Sequence, residues 1–320
     1  MEIKSNSLSR RKFLAASGAL LLGTSLKLQG ADLQDSPEPI IDIHQHADYS
    51  GRANKDLLTH QRAMGITTTI LLPAGRRVNT ESTHHGVSNG LEAKASGNRA
   101  CYKLARKYPK EFLFGANDVP DLPDAVKRIE KYLEHGAVVI GELKFGVECD
   151  SPGMQKIYQL AQTYNVPVLM HWQFERYNYG FERFHTMLEK YPTVNFIGHA
   201  QTWWANVDKN HNDQTILYPK GNVTPGGITD RLLSDYANMF GDLSAGSGLN
   251  ALTRDEDQAR EFLTRHQDKL LYGSDCSDSA WLTPEKCQGT QTIIAIRRLS
   301  SSKAVERKLL YENAKKLFKL

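Results

Sequence analysis

Several absences narrow this sequence of 320 residues. It has only four cysteines, Cys101, Cys149, Cys276 and Cys287, none in C-x-x-C spacing. That removes zinc-ribbon and thioredoxin-like motifs, and a chain this long needs no disulfide staples to hold a core. No G-x-G-x-x-G follows the first strand-like run, so the dinucleotide fingerprint is missing. Internal repeats, low-complexity tracts and Pro-rich linkers are also lacking, which argues against solenoids and tethered arrays. Charge of one sign is scarce outside the N-terminus. The formal net charge of +4 is accounted for within the first 31 residues, where Lys4, Arg10, Arg11, Lys12 and Lys27 face only Glu2. The neutral remainder offers no footprint for nucleic acid.

The basic N-terminus reads as an address. In "SRRKFLAASGALLLGTSL", Arg10 and Arg11 precede an apolar stretch, Ala15 to Leu26, that is too short to span a bilayer comfortably. The segment resembles a twin-arginine export signal. That resemblance implies the twin-arginine export machinery as a partner and a periplasmic destination. Gly30 or Ala31 would serve as the cleavage point, but no clean A-x-A precedes Asp32, so an uncleaved anchor on the outer face of the inner membrane stays open. The expected organisation is a signal over 1–31 and one domain over 38–320.

From there on, short β-rich runs alternate with helical patterns. Eight strands are expected: 40–46, 67–73, 112–119, 137–145, 167–173, 194–200, 239–245 and 270–275. Between them, stretches such as "DAVKRIEKYLEHG" and "GMQKIYQLAQTYN" space apolar residues as helices do. Runs such as "AVVIG" and "VPVLM" are apolar throughout, as in parallel strands covered on both sides. Eight such units predict a (β/α)8 TIM barrel, with a doubly wound open sheet as the rival. One connection, Thr202 to Gly227, is long and polar.

A barrel carries its chemistry at the C-terminal ends of its strands. His44 and His46 end strand one, Glu142 and Lys144 strand four, His171 strand five, His199 strand six and Asp275 strand eight. Each alone suits a cap or a salt bridge. Together they form a mixed nitrogen and oxygen set suited to a divalent metal, zinc first, with an open position for water or substrate. Trp172, Gln173, Gln201, Trp203 and Trp204 follow strands five and six, where rings and amides would grip a substrate. Arg76 and Arg77 follow strand two, where a guanidinium would fork onto a substrate carboxylate.

The motifs "IDIHQHA", "GELKFG", "VLMHW", "IGHA" and "LYGSDC", in that order, resemble the amidohydrolase superfamily, in its amidohydrolase-related branch of hydrolases and decarboxylases. "LLYENAKKLFKL" resembles that branch's closing helix. The resemblance implies His44, His46, His171 and Asp275 as metal ligands. It makes His199 an acid/base or carbonyl-polarising residue beside one ion, or a ligand of a second; Glu142 or Lys144 would then bridge the two. One ion is favoured over two. The implied activity is hydrolysis of a C–O or C–N bond in a lactone, amide or ester, with Asp275 taking the proton of the attacking water. Non-oxidative decarboxylation of an unsaturated or aromatic carboxylic acid is the alternative, and a metal-containing binding protein without turnover is the third. The partner is a small-molecule substrate, and a homo-oligomer is compatible with the sequence.

Overall fold

The eight expected runs all form strands, and neighbouring strands pair in parallel in the computed structural model, which describes residues 38–83, 95–278 and 286–320. The expected export signal and the pair His84–His85 lie outside the described residues. The strands are β1 (Ile40–Gln45), β2 (Ile66–Leu71), β3 (Phe112–Phe114), β4 (Ile140–Leu143), β5 (Val168–His171), β6 (Phe196–His199), β7 (Met239–Asp242) and β8 (Leu270–Leu271). They pair in the orders β1-β2-β3 and β4-β5-β6-β7-β8. Two seams join these into a ring. At one, Ala116 N–H donates to Val139 O (2.9 Å) and Gly141 N–H to Ala116 O (2.9 Å). At the other, Ile43 N–H donates to Tyr272 O (3.1 Å) and Asp275 N–H to His44 O (2.8 Å). The closed ring is the expected (β/α)8 barrel.

Twelve described helices clothe it. They are α1 (Asn54–Ala63), α2 (Asn98–Lys107), α3 (Ala125–Glu134), α4 (Pro152–Tyr164), α5 (His185–Lys190), α6 (Gln201–Ala205), α7 (Ile228–Asp235), α8 (Ala245–Thr253), α9 (Glu256–Arg265), α10 (Gln288–Leu299), α11 (Lys303–Arg307) and α12 (Asn313–Phe318). Local chemistry sets their ends. Ser151 caps α4 by accepting from Met154 N–H, Pro152 occupies its first turn, and Asn165 ends it in the left-handed region at φ 50°. The long connection expected from Thr202 begins as helix: α6 carries Trp203 and Trp204, and irregular chain follows to Gly227.

Strand alternation divides the core in two. Ile41, Ile43, Ile70, Leu72, Val139, Leu169, Ile197 and Leu271 meet inside the ring, above Ala314, Leu317 and Phe318 of α12, which plug its floor. The opposite faces, with Phe112, Ile140, Met170 and Phe196, pack against the helices. Each aliphatic side chain so buried contributes about 1.5–3 kcal/mol. Register shifts fall at three places, between Ile40 and Ile41 and between Asp42 and Gln45 in β1, and between Ile140 and Leu143 in β4. These register shifts re-aim side chains. His44 and His46 thereby face the interior although Ile41 and Ile43, of the other parity, face it too; Glu142 does so alongside Val139.

Candidate metal centre

Six polar side chains converge at the C-terminal mouth of the ring. His46 Nε2 lies 3.4 Å from Asp275 Oδ1 and 3.6 Å from Glu142 Oε2. His44 Nε2 lies 3.8 Å from each of those same oxygens. The other oxygen of Glu142 turns to a different pair: Oε1 stands 2.6 Å from His171 Nδ1 and 3.7 Å from His199 Nε2. Asp275 Oδ2 closes the set, 3.6 Å from His199 Nε2. Glu142 thus presents one oxygen to each of two histidine pairs.

Outer partners fix how the rings point. His46 Nδ1–H donates to Leu72 O (2.8 Å), and a carbonyl can only accept, so the Nε2 lone pair faces inward. His44 Nδ1–H donates to Asp242 Oδ2 (2.7 Å). His199 Nδ1 meets Ser244 Oγ (2.9 Å), whose own proton goes to Asp242 Oδ2 (2.8 Å). Asp242 and Ser244, at the end of β7, are absent from the sequence reading. The strand-end rule that picked out the other site residues could have found Asp242.

The inward atoms of this set are buried and unpartnered. Among the described residues, His44 Nε2, His46 Nε2, His199 Nε2 and Asp275 Oδ1 have no hydrogen-bond partner. Orphaned polar atoms at this depth cost about 1–3 kcal/mol each unless something binds them. Ligands of one tetrahedral zinc stand about 3.3 Å apart, given Zn–N of about 2.0–2.1 Å. The separations of 3.4 to 3.8 Å come within about half an ångström of that, whereas His171 Nδ1 and Glu142 Oε1, at 2.6 Å, are hydrogen-bonded to each other. His44, His46 and Asp275 form one candidate ligand group, and Glu142, His171 and His199 another. The residues fit divalent metal.

The electrostatics follow from this crowding. Burial would raise the Asp275 carboxyl, but His44, His46 and His199 around it win and hold it well below the usual carboxylate range. Burial opposes ionisation of Glu142 as well, and is outweighed by His171 and His44. For His199, burial and then the neighbouring His44 and His171 push its pKa well down, which keeps the imidazole neutral. Asp275 adopts a left-handed φ of 44°, held there by its N–H bond to His44 O.

The remaining expected residues divide. Lys144 is half-buried, with Nζ 5.3 Å from the centroid of Tyr177, while Glu142 sits among the histidines. Gln173 Oε1 lies 3.4 Å from His171 Nε2 and lines a cavity of about 370 Å3 with Trp172, Phe174, Tyr179, Phe181 and Thr202. Trp172 also packs on Phe181 and Phe184. Gln201 donates to Tyr218 Oη (3.3 Å). Trp203 and Trp204 are both buried, Trp203 over Gly198 and Trp204 with Nε1–H on Asp242 O (2.9 Å). Arg76 is committed to Asp118 (3.1 Å) and Asp124, so its charge is already taken; Arg77 is exposed.

No protein-family model matches the chain, and no curated protein does. Solved structures do. One is a probable 2-pyrone-4,6-dicarboxylic acid hydrolase from Acinetobacter baumannii with citric acid bound, at TM-score 0.54 and 16% identity over 88% of this chain and 99% of that one. A second is an uncharacterized TIM-barrel protein from Bordetella bronchiseptica (TM-score 0.56, 15% identity, 88% and 98%). A third is the 5-carboxyvanillate decarboxylase of Sphingomonas paucimobilis (TM-score 0.52, 14% identity, 84% and 84%). At identities of 14 to 16% the likeness is one of fold, and the fold it gives this chain is the TIM barrel.

Proposed function

We propose that the protein is a metal-dependent hydrolase that cleaves a C–O or C–N bond in a small lactone, ester or amide. The observation that carries this reading is the division of Glu142, with Oε2 toward His44 and His46 and Oε1 toward His171 and His199. A carboxylate so divided is suited to bridging two divalent ions rather than holding one. His44, His46, Asp275 and Glu142 would hold the first ion, and Glu142, His171 and His199 the second. Zinc is the first candidate for such a nitrogen and oxygen set. Bound ions of this kind activate water at neutral pH and polarise a carbonyl oxygen.

The chain's own groups supply the rest. Asp275, 12% exposed where Glu142 is 2% exposed, faces the mouth of the barrel and is placed to take the proton of the attacking water. Gln173 joins this centre to the cavity lined by Trp172, Phe174 and Tyr179, whose aromatic walls suit a planar ring. The 2-pyrone ring named for one similar structure is a lactone of that shape. Decarboxylation of an aromatic acid has less support here, because Arg76 is engaged by Asp118 and Asp124. We also read residues 1–31 as a twin-arginine signal, so that the enzyme acts in the periplasm.

The test combines turnover with metal content. The purified protein should hydrolyse at least one of a panel of lactones, esters and amides. Chelation should abolish that activity. Glu142→Gln should bind fewer ions than the native chain and lose at least about 100-fold in turnover. Full hydrolysis after the metal is stripped would sink the proposal, as would CO2 release from aromatic acids with no hydrolysis at all.

A further inference from the structure

Outside the ring, under α1, lies a second set of metal-ligating side chains that the proposed reaction does not use. His60 on α1, Cys276 and Asp278 in the stretch after β8, and Cys287 at the start of α10 each bring a ligand atom within 4.8 Å of the others. His60, Cys276 and Cys287 are buried and Asp278 is half-buried. His60 Nε2 lies 3.5 Å from Cys276 Sγ and 3.4 Å from Cys287 Sγ. With Zn–S of about 2.3 Å and Zn–N of about 2.05 Å, the N···S edge of a zinc tetrahedron is about 3.6 Å.

One imidazole nitrogen carries one proton or one lone pair, and two sulfurs stand at the same range from it, as two ligands of one ion would. Cys287 Sγ accepts from Thr290 N–H (3.4 Å), as ligating thiolates do, and Gln45 Nε2, which donates to Ser274 Oγ (3.0 Å) and Cys276 O (2.9 Å), stands 3.5 Å from Cys276 Sγ. Asp278 Oδ2 accepts from Gln288 N–H (3.2 Å), and the carboxyl also reaches Cys287.

We propose that His60, Cys276, Asp278 and Cys287 form a structural zinc site, closed by four protein ligands and distinct from the centre inside the barrel. The oxygen donor selects zinc over copper(I), for which Met64 Sδ, 3.6 Å from Cys287 Sγ, would be the soft fourth ligand. The site ties α1 to the start of α10 and to the residue directly after Asp275. It therefore clamps the backbone that presents Asp275 to the interior.

Cobalt(II) substitution of the full chain tests this, because the centre inside the barrel has no cysteine. Thiolate-to-cobalt charge-transfer absorption therefore reports the outer site alone. The native chain should show that absorption, and peptide mapping should find Cys276 and Cys287 shielded from alkylation until a chelator is added. Cys287→Ser should abolish the absorption and bind one ion fewer; His60→Gln should abolish or weaken it, and stands in if the serine variant fails to fold. A native chain without the absorption and with both cysteines freely alkylated would overturn the proposal. So would a Cys276–Cys287 disulfide in the native chain, or absorption unchanged in both variants.

Discussion

Ser244 Oγ touches three groups of the candidate metal centre, at 2.9 Å from His199 Nδ1, 2.8 Å from Asp242 Oδ2 and 3.3 Å from His44 Nδ1. Its single proton serves Asp242, and its lone pair receives His199 Nδ1–H. Ser244→Ala should leave His199 free to rotate. Metal affinity or turnover should fall about 10- to 100-fold, measured by calorimetric titration of the metal-free protein and by kinetics. Unchanged values for both would show that Ser244 does not orient the ring. One residue before His199, Gly198 leaves a slot that Trp203 fills. A Cβ there would stand 2.4 Å from the indole, which is fully buried and has nowhere to retreat. Gly198→Ala should therefore destabilise by about 1–3 kcal/mol, read from denaturant melts. An unaltered midpoint would mean that α6 can shift as a unit.

Between elements, the clearest electrostatic tie joins α7 to α9. Asp230 accepts from His266 Nε2 (2.6 Å), from Arg265 (3.0 Å) and from Gly226 N–H (2.8 Å). Burial would raise its pKa, but those donors outweigh burial and set it below the ordinary 3.8. The folded value is lower than the unfolded one, so the stabilisation is complete above about pH 4 and is lost as pH falls through the folded value. Asp230→Asn should cost about 1–3 kcal/mol at neutral pH and progressively less below pH 4, in thermal melts across pH. A cost that is constant with pH would mean that the carboxylate's charge plays no part. This tie was hidden in the sequence because its partners sit 35 and 36 positions away, with no local pattern to mark them. The same holds for Arg76, whose partners Asp118 and Asp124 sit 42 and 48 positions away. Strand order and helix placement were legible because they follow from periodicity. The register shifts in β1 and β4 were not, since no residue in "IIDIHQ" or "IGEL" announces them, and strict alternation would have set His44 and Ile43 on opposite faces.

For the molecule as a whole, the ligands of the proposed centre are spread over the entire ring: β1 carries His44, β4 Glu142, β5 His171, β6 His199, and the stretch after β8 Asp275. Seven polar residues at the ends of five strands were readable one by one in the sequence, but their convergence depends on closure of the ring between β8 and β1. Fully buried Asp42 stitches that seam. Its Oδ1 accepts from Ser274 N–H (2.9 Å) and from His44 N–H (3.0 Å), one residue from each side of the join. An unfolded chain has no such convergence, so metal should bind the closed barrel alone and stabilise it by mass action. At a free ion concentration a thousandfold above Kd that amounts to about 4 kcal/mol. At about 2–4 °C per kcal/mol for a domain near this size, chelation should lower Tm on the order of 10 °C. Calorimetry with and without chelator measures this, and the variant Cys287→Ser separates the outer site from the inner one. If the inner centre couples to closure as argued, Cys287→Ser should still lose several degrees on chelation; a variant with no remaining chelator-sensitive shift would assign all of the metal-linked stability to the outer site.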